Sequence, residues 1–183
     1  PIIMVHPGSS ARGKAAAQSH TGAMVGDYAV MQTAVRNEAV ALVSTMDELF
    51  DVTAVLSRFP APPGGRPAIV TNSGAICGLS FDFTESINLP LADLSKDTLA
   101  QLRRMAPDYI EVGNPLDVGT AGFVDGSIFG TSTQAMLADD SVGGVLLAVT
   151  GGGPSQQRAK AEAIAPVAAA AAKPVLVAIP GDG

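Results

Sequence analysis

Pro67-Ala68-Ile69-Val70-Thr71-Asn72-Ser73-Gly74-Ala75 reads as an apolar strand that ends in a polar turn and feeds straight into a helix, expected to run to about Ser86. Such a turn leaves backbone N–H groups unpaired at the positive end of the helix dipole, which makes it an anion site. The dipole contributes ~0.3–1 kcal/mol, enough to position an anion rather than to capture one. A tight strand-to-helix connection would look the same, so Asn72, Ser73, Gly74 and Ala75 are candidate phosphate contacts and no more at this point.

The same alternation extends outward from this stretch. Downstream, Leu89 to Leu94 reads as a strand, and Ser95 as the cap of a helix carrying Leu99, Leu102 and Met105 on one side. A long irregular segment holds Gly113-Asn114-Pro115-Leu116-Asp117-Val118-Gly119, where Asn114 and Asp117 can shape the loop rim by Asx turns or orient a phosphate-bearing loop. Helix is expected over Ser127 to Leu137, strand over Val142 to Thr150, a loop at Gly151-Gly152-Gly153, helix over Ser155 to Ala172 with a kink at Pro166, and a last strand over Pro174 to Ile179.

Upstream, the prolines and glycines of Arg58 to Arg66 can continue neither kind of element and mark a boundary. Before it, Pro1 to Val5 reads as a buried strand, and His6 to Lys14 as loop running into a second loop, Gln18 to Gly26. A helix carrying Met24, Tyr28, Met31 and Val35, a strand over Ala39 to Val43, and a helix opened by the capping box Thr45-Met46-Asp47-Glu48 follow. The expected organisation is therefore residues 1–58, a linker at 59–66, and a second unit over 67–183, each a doubly wound α/β unit with a parallel sheet. The apolar opening without an initiator Met predicts a piece of a longer protein.

Charge and composition narrow the function classes. With 183 residues, a net charge of −6 and 4% aromatics, the chain offers neither a basic surface nor stacking platforms for nucleic acid. The richest apolar stretch, Val167 to Ile179, is interrupted by Lys173-Pro174 and falls short of a membrane span. One cysteine, Cys77, excludes an internal disulfide framework and points to a reducing cytoplasm. No carboxylate pattern near His6 or His20 makes a metal site.

Within Gln18-Ser19-His20-Thr21-Gly22-Ala23-Met24-Val25-Gly26, His20 sits among hydroxyls and glycines. A neutral imidazole is nucleophilic near physiological pH and can accept a phosphoryl group and pass it on. Ser19 and Thr21 could bond that phosphate while Gly22 lets the backbone wrap it; a histidine in a loop also fits a capping role, so the residues alone leave the choice open. Gly8-Ser9-Ser10-Ala11-Arg12-Gly13-Lys14-Ala15 matches the glycine and lysine positions of a P-loop, but Ala15 stands where Ser or Thr must hold Mg²⁺.

Gly13 to Gly26 with its Ser-His-Thr-Gly-Ala core, Thr45-Met46-Asp47-Glu48-Leu49-Phe50-Asp51, Ala68-Ile69-Val70-Thr71-Asn72-Ser73-Gly74 and Gly113-Asn114-Pro115-Leu116-Asp117 together resemble the NDP-forming acyl-CoA synthetases, relatives of succinyl-CoA ligase. The resemblance implies two flavodoxin-like, succinyl-CoA-synthetase-like units. It also implies conversion of a carboxylic acid, CoA and ATP to acyl-CoA through a phosphohistidine at His20 and an acyl phosphate, with the Asn72 to Ala75 turn facing the phosphate. ATP or ADP, CoA and Mg would be bound by CoA-binding and ATP-grasp domains outside these residues, in the same protein or a partner subunit, and the fragment alone would be inactive. An oligomer is implied as well. Relatives of this kind handle acetate and ferulate alike, so a feruloyl-CoA synthetase-like member stays open, as does a catalytically silent regulatory relative.

Overall fold

A computed structural model describes residues 1–21 and 26–179, and the chain forms two compact units, Pro1–Pro62 and Pro63–Gly183. In the first unit β1 (Ile3–Val5) pairs in parallel with β2 (Ala41–Val43), Ile3 opposite Ala41 and Val5 opposite Val43. Helices α1 (Ala11–Thr21) and α2 (Tyr28–Asn37) lie between the two strands in sequence, and α3 (Met46–Arg58) follows them. Asp27 starts α2 by accepting from the amides of Ala29 at 2.8 Å and Val30 at 3.3 Å. Thr45 starts α3 by accepting from the Glu48 amide at 3.1 Å, and the Glu48 carboxylate reaches back to Ser44 N–H at 2.7 Å. Both strands of this unit are half-buried, where the sequence predicted a buried opening strand.

His6 to Ser10 lie outside regular structure as expected, but helix α1 takes over Ala11 to Lys14 of the expected loop and the start of the histidine loop. Ser10 explains it: its Oγ accepts from Gly13 N–H at 3.1 Å and its carbonyl from Lys14 N–H at 2.9 Å, which supplies a helix start. Ala15-Ala16-Ala17, the strongest helix formers, then propagate the helix through His20. Placing Gly13 and Lys14 inside this helix also removes the open phosphate cradle that a P-loop needs.

The second unit holds the fully buried core, with Val70, Leu102, Leu116, Phe129, Met136, Val145 and Leu147 among its members. Its elements are β3 (Arg66–Thr71), α4 (Gly74–Ser86), α5 (Lys96–Met105), β4 (Leu116–Asp117), α6 (Ala121–Val124), α7 (Ser127–Leu137), β5 (Val142–Ala148), α8 (Pro154–Ala170) and β6 (Val175–Ala178). All four strands run parallel in the order β4-β3-β5-β6, with Thr71 opposite both Asp117 and Ala148. The chain moves from β3 to β4 on one side, then crosses back to β5 on the other. That reversal puts the topological switch point, where open α/β sheets take ligands, at the carboxyl ends of β3 and β5.

Leu89 to Leu94 is not a strand. Pro90 has no amide to donate, and the segment joins β3 through a single backbone bond, Ala92 N–H to Pro67 O at 3.0 Å. The Asn114 side chain supplies the rest: its Oδ1 accepts from Ile69 N–H at 2.9 Å, and its Nδ2 donates to Pro67 O at 3.1 Å and Ala92 O at 3.0 Å. One primary amide thus does the work of an absent stretch of β-ladder.

Candidate active site

The turn after β3 is built from its own side chains. Thr71 Oγ1 accepts from Ser73 N–H at 3.2 Å, and the Ser73 carbonyl accepts from Cys77 N–H at 2.9 Å. Ser73 Oγ faces Ile76 N–H at 3.5 Å, a long capping bond. The amides of Gly74 and Ala75, the first two of α4, are left as the unpaired donors a helix start must have. Asn72 is 5% exposed, and its Oδ1 accepts from Thr150 N–H at 2.8 Å, so the ends of β3 and β5 are tied together. Its Nδ2 is buried with no partner. The structure therefore brings Asn72, Ser73, Gly74 and Ala75 into one turn at the switch point.

A carboxylate stands beside that turn. Asp117 Oδ1 accepts from Gly119 N–H at 2.9 Å, and Oδ2 would lie 3.4 Å from a Cβ placed on Gly74. Both Asp117 and Cys77 line a cavity of about 580 Å³ that Phe81 and Tyr109 also border. Burial pushes the Cys77 thiol up, and the Asp117 charge pushes it further the same way, so the helix start does not activate it.

The loop after β5 repeats the design of the loop after β3, and sequence reading passed it over. Lys160, 4% exposed on α8, donates to Thr150 O and Gly151 O, each at 2.9 Å, and its Nζ stands 4.6 Å from the Phe123 ring centroid and 5.7 Å from that of Phe129. Burial pushes its ammonium pKa down. Gln157 Nε2 donates to Gly152 O at 3.1 Å, and Gln156 Oε1 accepts from Gly153 N–H at 3.0 Å. Gly152 has φ +148°, and a Cβ there would meet Gln156 Oε1 at 2.7 Å, so only glycine fits. The available signal was grammatical: an apolar strand, three glycines and a helix, the same order as Pro67 to Ala75.

In the first unit His20 is exposed in the last turn of α1. Ser19 Oγ donates to Ala16 O at 2.9 Å, which commits its hydrogen to the helix and leaves its lone pairs. Gly22 and the side chain of Thr21 lie outside the described residues. Among the described residues no group of three or more His, Cys, Asp and Glu could hold a metal ion, and no helix is long and apolar enough to cross a membrane.

Residues 1–56 match the succinyl-CoA ligase like flavodoxin domain. The chain is 40% identical over 149 residues to a trans-feruloyl-CoA synthase from an unidentified prokaryote, covering 81% of this chain and 21% of that protein. It is 33% identical over 151 residues to an ADP-forming acetate–CoA ligase of Archaeoglobus fulgidus, covering 81% and 22% respectively. The chain thus spans about a fifth of the length of these curated relatives. In fold it matches an acetyl-coenzyme A synthetase of Ca. Korarchaeum cryptofilum solved with phosphate and ADP, with a TM-score of 0.82 at 24% identity over 100% of this chain and 39% of that one.

Proposed function

This chain is a homologue of the NDP-forming acyl-CoA synthetases, and we propose that it is the part of such an enzyme that carries the phosphoryl group on His20 and receives it at the Asn72 to Ala75 turn. The observation that carries the reading is an exposed His20 within Ser-His-Thr-Gly, inside the matched succinyl-CoA ligase like domain. An accessible imidazole nitrogen attacks the terminal phosphorus of ATP, ADP leaves, and the phosphoryl group passes to the carboxylate of the acid. CoA thiolate then displaces phosphate from the acyl phosphate to give the thioester. Nucleotide, CoA and Mg²⁺ are held by domains beyond these residues, in the same chain or a partner subunit.

Helix electrostatics favour that direction of travel. His20 rides the carboxyl end of α1, the negative end of its dipole, whereas the turn after β3 opens the positive end of α4. A phosphoryl dianion is therefore disfavoured by a few tenths of a kcal/mol where it is picked up and favoured by about the same where it is delivered. Donors already fixed by Thr71, Asn72 and Ser73 need no rearrangement during transfer.

Incubating the full-length protein with Mg²⁺ and γ-³²P-ATP tests the reading. Acid-labile, base-stable label should appear on His20 and vanish in His20→Ala, and acid-dependent ADP release should follow when CoA and a carboxylic acid are added. An unlabelled wild type ends the proposal, while label with no further ADP release on addition of acid and CoA would place the protein among silent relatives.

A further inference from the structure

Lys160 is a buried cation, and among the described residues no carboxylate pairs with it. Two of its three ammonium hydrogens go to Thr150 O and Gly151 O, which leaves one uncommitted. The two carbonyls and the Phe123 and Phe129 rings spread the charge without cancelling it. A buried charge with no counter-ion is costly, and an anion that reaches it recovers part of that cost.

A groove leads to this ammonium. It has a volume of about 260 Å³ and runs along the flank of α8 between residues 157 and 168, with the edge strand β6 as its other side. Buried Val149 and Ile164 form its bed. Ala161 and Ala165, one helical turn apart, make one bank, and Val177 and Ile179, 50% and 56% exposed, make the other. Among the described residues that line it, Lys160 alone carries a charge. The two alanines keep the groove open, because a longer side chain at either position would occupy it. A cavity of ~150 Å³ already holds a benzene ring, so this groove has room for a ring with a short substituent or for an alkyl chain of similar bulk. Phosphates and dicarboxylates fit it poorly, since they would bring more negative charge into apolar surroundings than one cation matches.

We propose that this groove binds a small apolar monocarboxylate, with the carboxylate on the uncommitted ammonium hydrogen of Lys160 and the aryl or alkyl tail between Ala161, Ala165 and the side chains of β6. Burial pushes the Lys160 pKa down, and an arriving carboxylate pushes it back up, so the complex holds the lysine in its charged form. The site lies along the flank of α8 and takes no part in phosphoryl transfer as argued for His20.

The test titrates the 183-residue chain, labelled with ¹³C-methyl alanine, isoleucine and valine, with benzoate, benzamide and acetate. Benzoate should shift the methyl resonances of Ala161, Ile164, Ala165 and Val177 saturably and leave that of Val30, exposed on α2, unmoved. Benzamide has the shape without the charge and acetate the charge without the tail, so each should bind at least about tenfold more weakly than benzoate. Lys160→Met should lower benzoate affinity to that of benzamide while leaving benzamide within about threefold. Ala161→Leu, made on exposed helix surface, should weaken both aromatic ligands at least about tenfold. Equal affinity of the wild type for benzoate and benzamide overturns the proposal, as does Ala161→Leu with wild-type benzoate affinity or a groove whose methyls ignore benzoate. These three outcomes decide the matter even if Lys160→Met does not fold. In the full-length protein the two sources of such an acid separate: a substrate acid held here shows a raised KM in Ala161→Leu, whereas an effector acid loses its own effect on rate and leaves the substrate KM where it was. Absence of label on His20 would overturn the phosphohistidine reading and leave the benzoate titration untouched.

Discussion

Asn72 Oδ1 accepts a hydrogen bond from the Thr150 amide at 2.8 Å, joining the ends of two neighbouring strands across 78 residues of sequence. The bond fixes the width of the crevice between β3 and β5. Asn72→Ala deletes it and leaves the Thr150 N–H without an acceptor, a loss of ~1–3 kcal/mol. Because the substitution also removes an Nδ2 that has no partner, the low end of that range, ~1 kcal/mol, is expected in urea unfolding. Hydrogen exchange should quicken at the Thr150 amide far more than at Leu146, which lies within the β3–β5 ladder. Uniform quickening along β5 would mean that the bond serves the sheet rather than the crevice.

Asp117 should act against anions at the start of α4. Asp117→Asn keeps the oxygen that accepts from Gly119 N–H and removes the charge beside Gly74, so inorganic phosphate should bind the turn about three- to fivefold more tightly, the equivalent of ~1 kcal/mol of relieved repulsion. The same change lowers the Cys77 thiol pKa, because one of its two upward pushes is gone. Burial, the larger push, remains, so iodoacetamide labelling of Cys77 at pH 8 should rise only about two- to threefold. Unchanged labelling together with unchanged phosphate affinity would show that the carboxylate is screened from both.

Asn114 makes three hydrogen bonds in place of a missing strand, and its removal should be expensive. Asn114→Ala is expected to destabilise the second unit by about 3 kcal/mol, near 1 kcal/mol for each bond to Ile69, Pro67 and Ala92. Asn114→Asp should cost as much, since a carboxylate keeps the acceptor for Ile69 N–H but turns lone pairs toward two carbonyls. A near-neutral Asn114→Asp in urea unfolding would show that the two Nδ2 bonds contribute nothing.

Much of this was legible because strand and helix periods speak for themselves: Val142 to Ala148 is an unbroken apolar run, and Ser95 is a helix cap where the sequence puts it. The misreadings share a cause. Asn114 was readable as shaping a loop rim or orienting a phosphate-bearing loop, but not as a strand substitute, because its partners lie 22 to 47 positions away and no local pattern announces a side chain substituting for a β-ladder. Gly13 and the hydroxyls around it made residues 6–14 look like loop, whereas Ser10 uses that same chemistry to start a helix. Nothing in the local sequence singles out Lys160 on its alanine-rich helix, and only packing against Phe123 and Phe129 reveals that it is inside.

Asp139 gives the fold a dependence on acid. Burial alone would raise its carboxyl pKa, but Ser95 N–H, the Thr98 hydroxyl, and the hydroxyl and N–H of Ser141 together outweigh burial and hold it well below the usual carboxylate range. A folded-state pKa below the unfolded one, about 3.9, means the stabilisation is complete above that pH and is lost as the pH falls through it toward the folded value. The stability gap between wild type and Asp139→Asn should hence be constant from pH 7 to about pH 5 and shrink below about pH 4. A gap that widens on acidification would reverse the sign assigned to this residue.

Gly130 and Gly78 should respond oppositely to the same substitution. Both are helical, and alanine gains ~1 kcal/mol over glycine in a helix interior from backbone entropy. Around Gly78 on α4 a Cβ would meet nothing within 4 Å, so Gly78→Ala should stabilise by about that amount. At Gly130 on α7 a Cβ would lie 2.5 Å from the carbonyl oxygen of Ala163, backbone of α8 that cannot swing aside like a side chain. Overpacking of this kind costs ~1–3 kcal/mol, and at so short a distance the upper end applies, so Gly130→Ala should be net destabilising by ~2 kcal/mol. One turn along, a Cβ on Gly126 would lie 3.1 Å from the α8 backbone at Ala159 and Lys160, so the two glycines together let α8 lie close enough for Lys160 to reach Phe129 and the Thr150 and Gly151 carbonyls. Gly130→Ala that matches Gly78→Ala in thermal and urea unfolding would show that α7 and α8 can separate at no cost, and that the lysine is not held by their close approach.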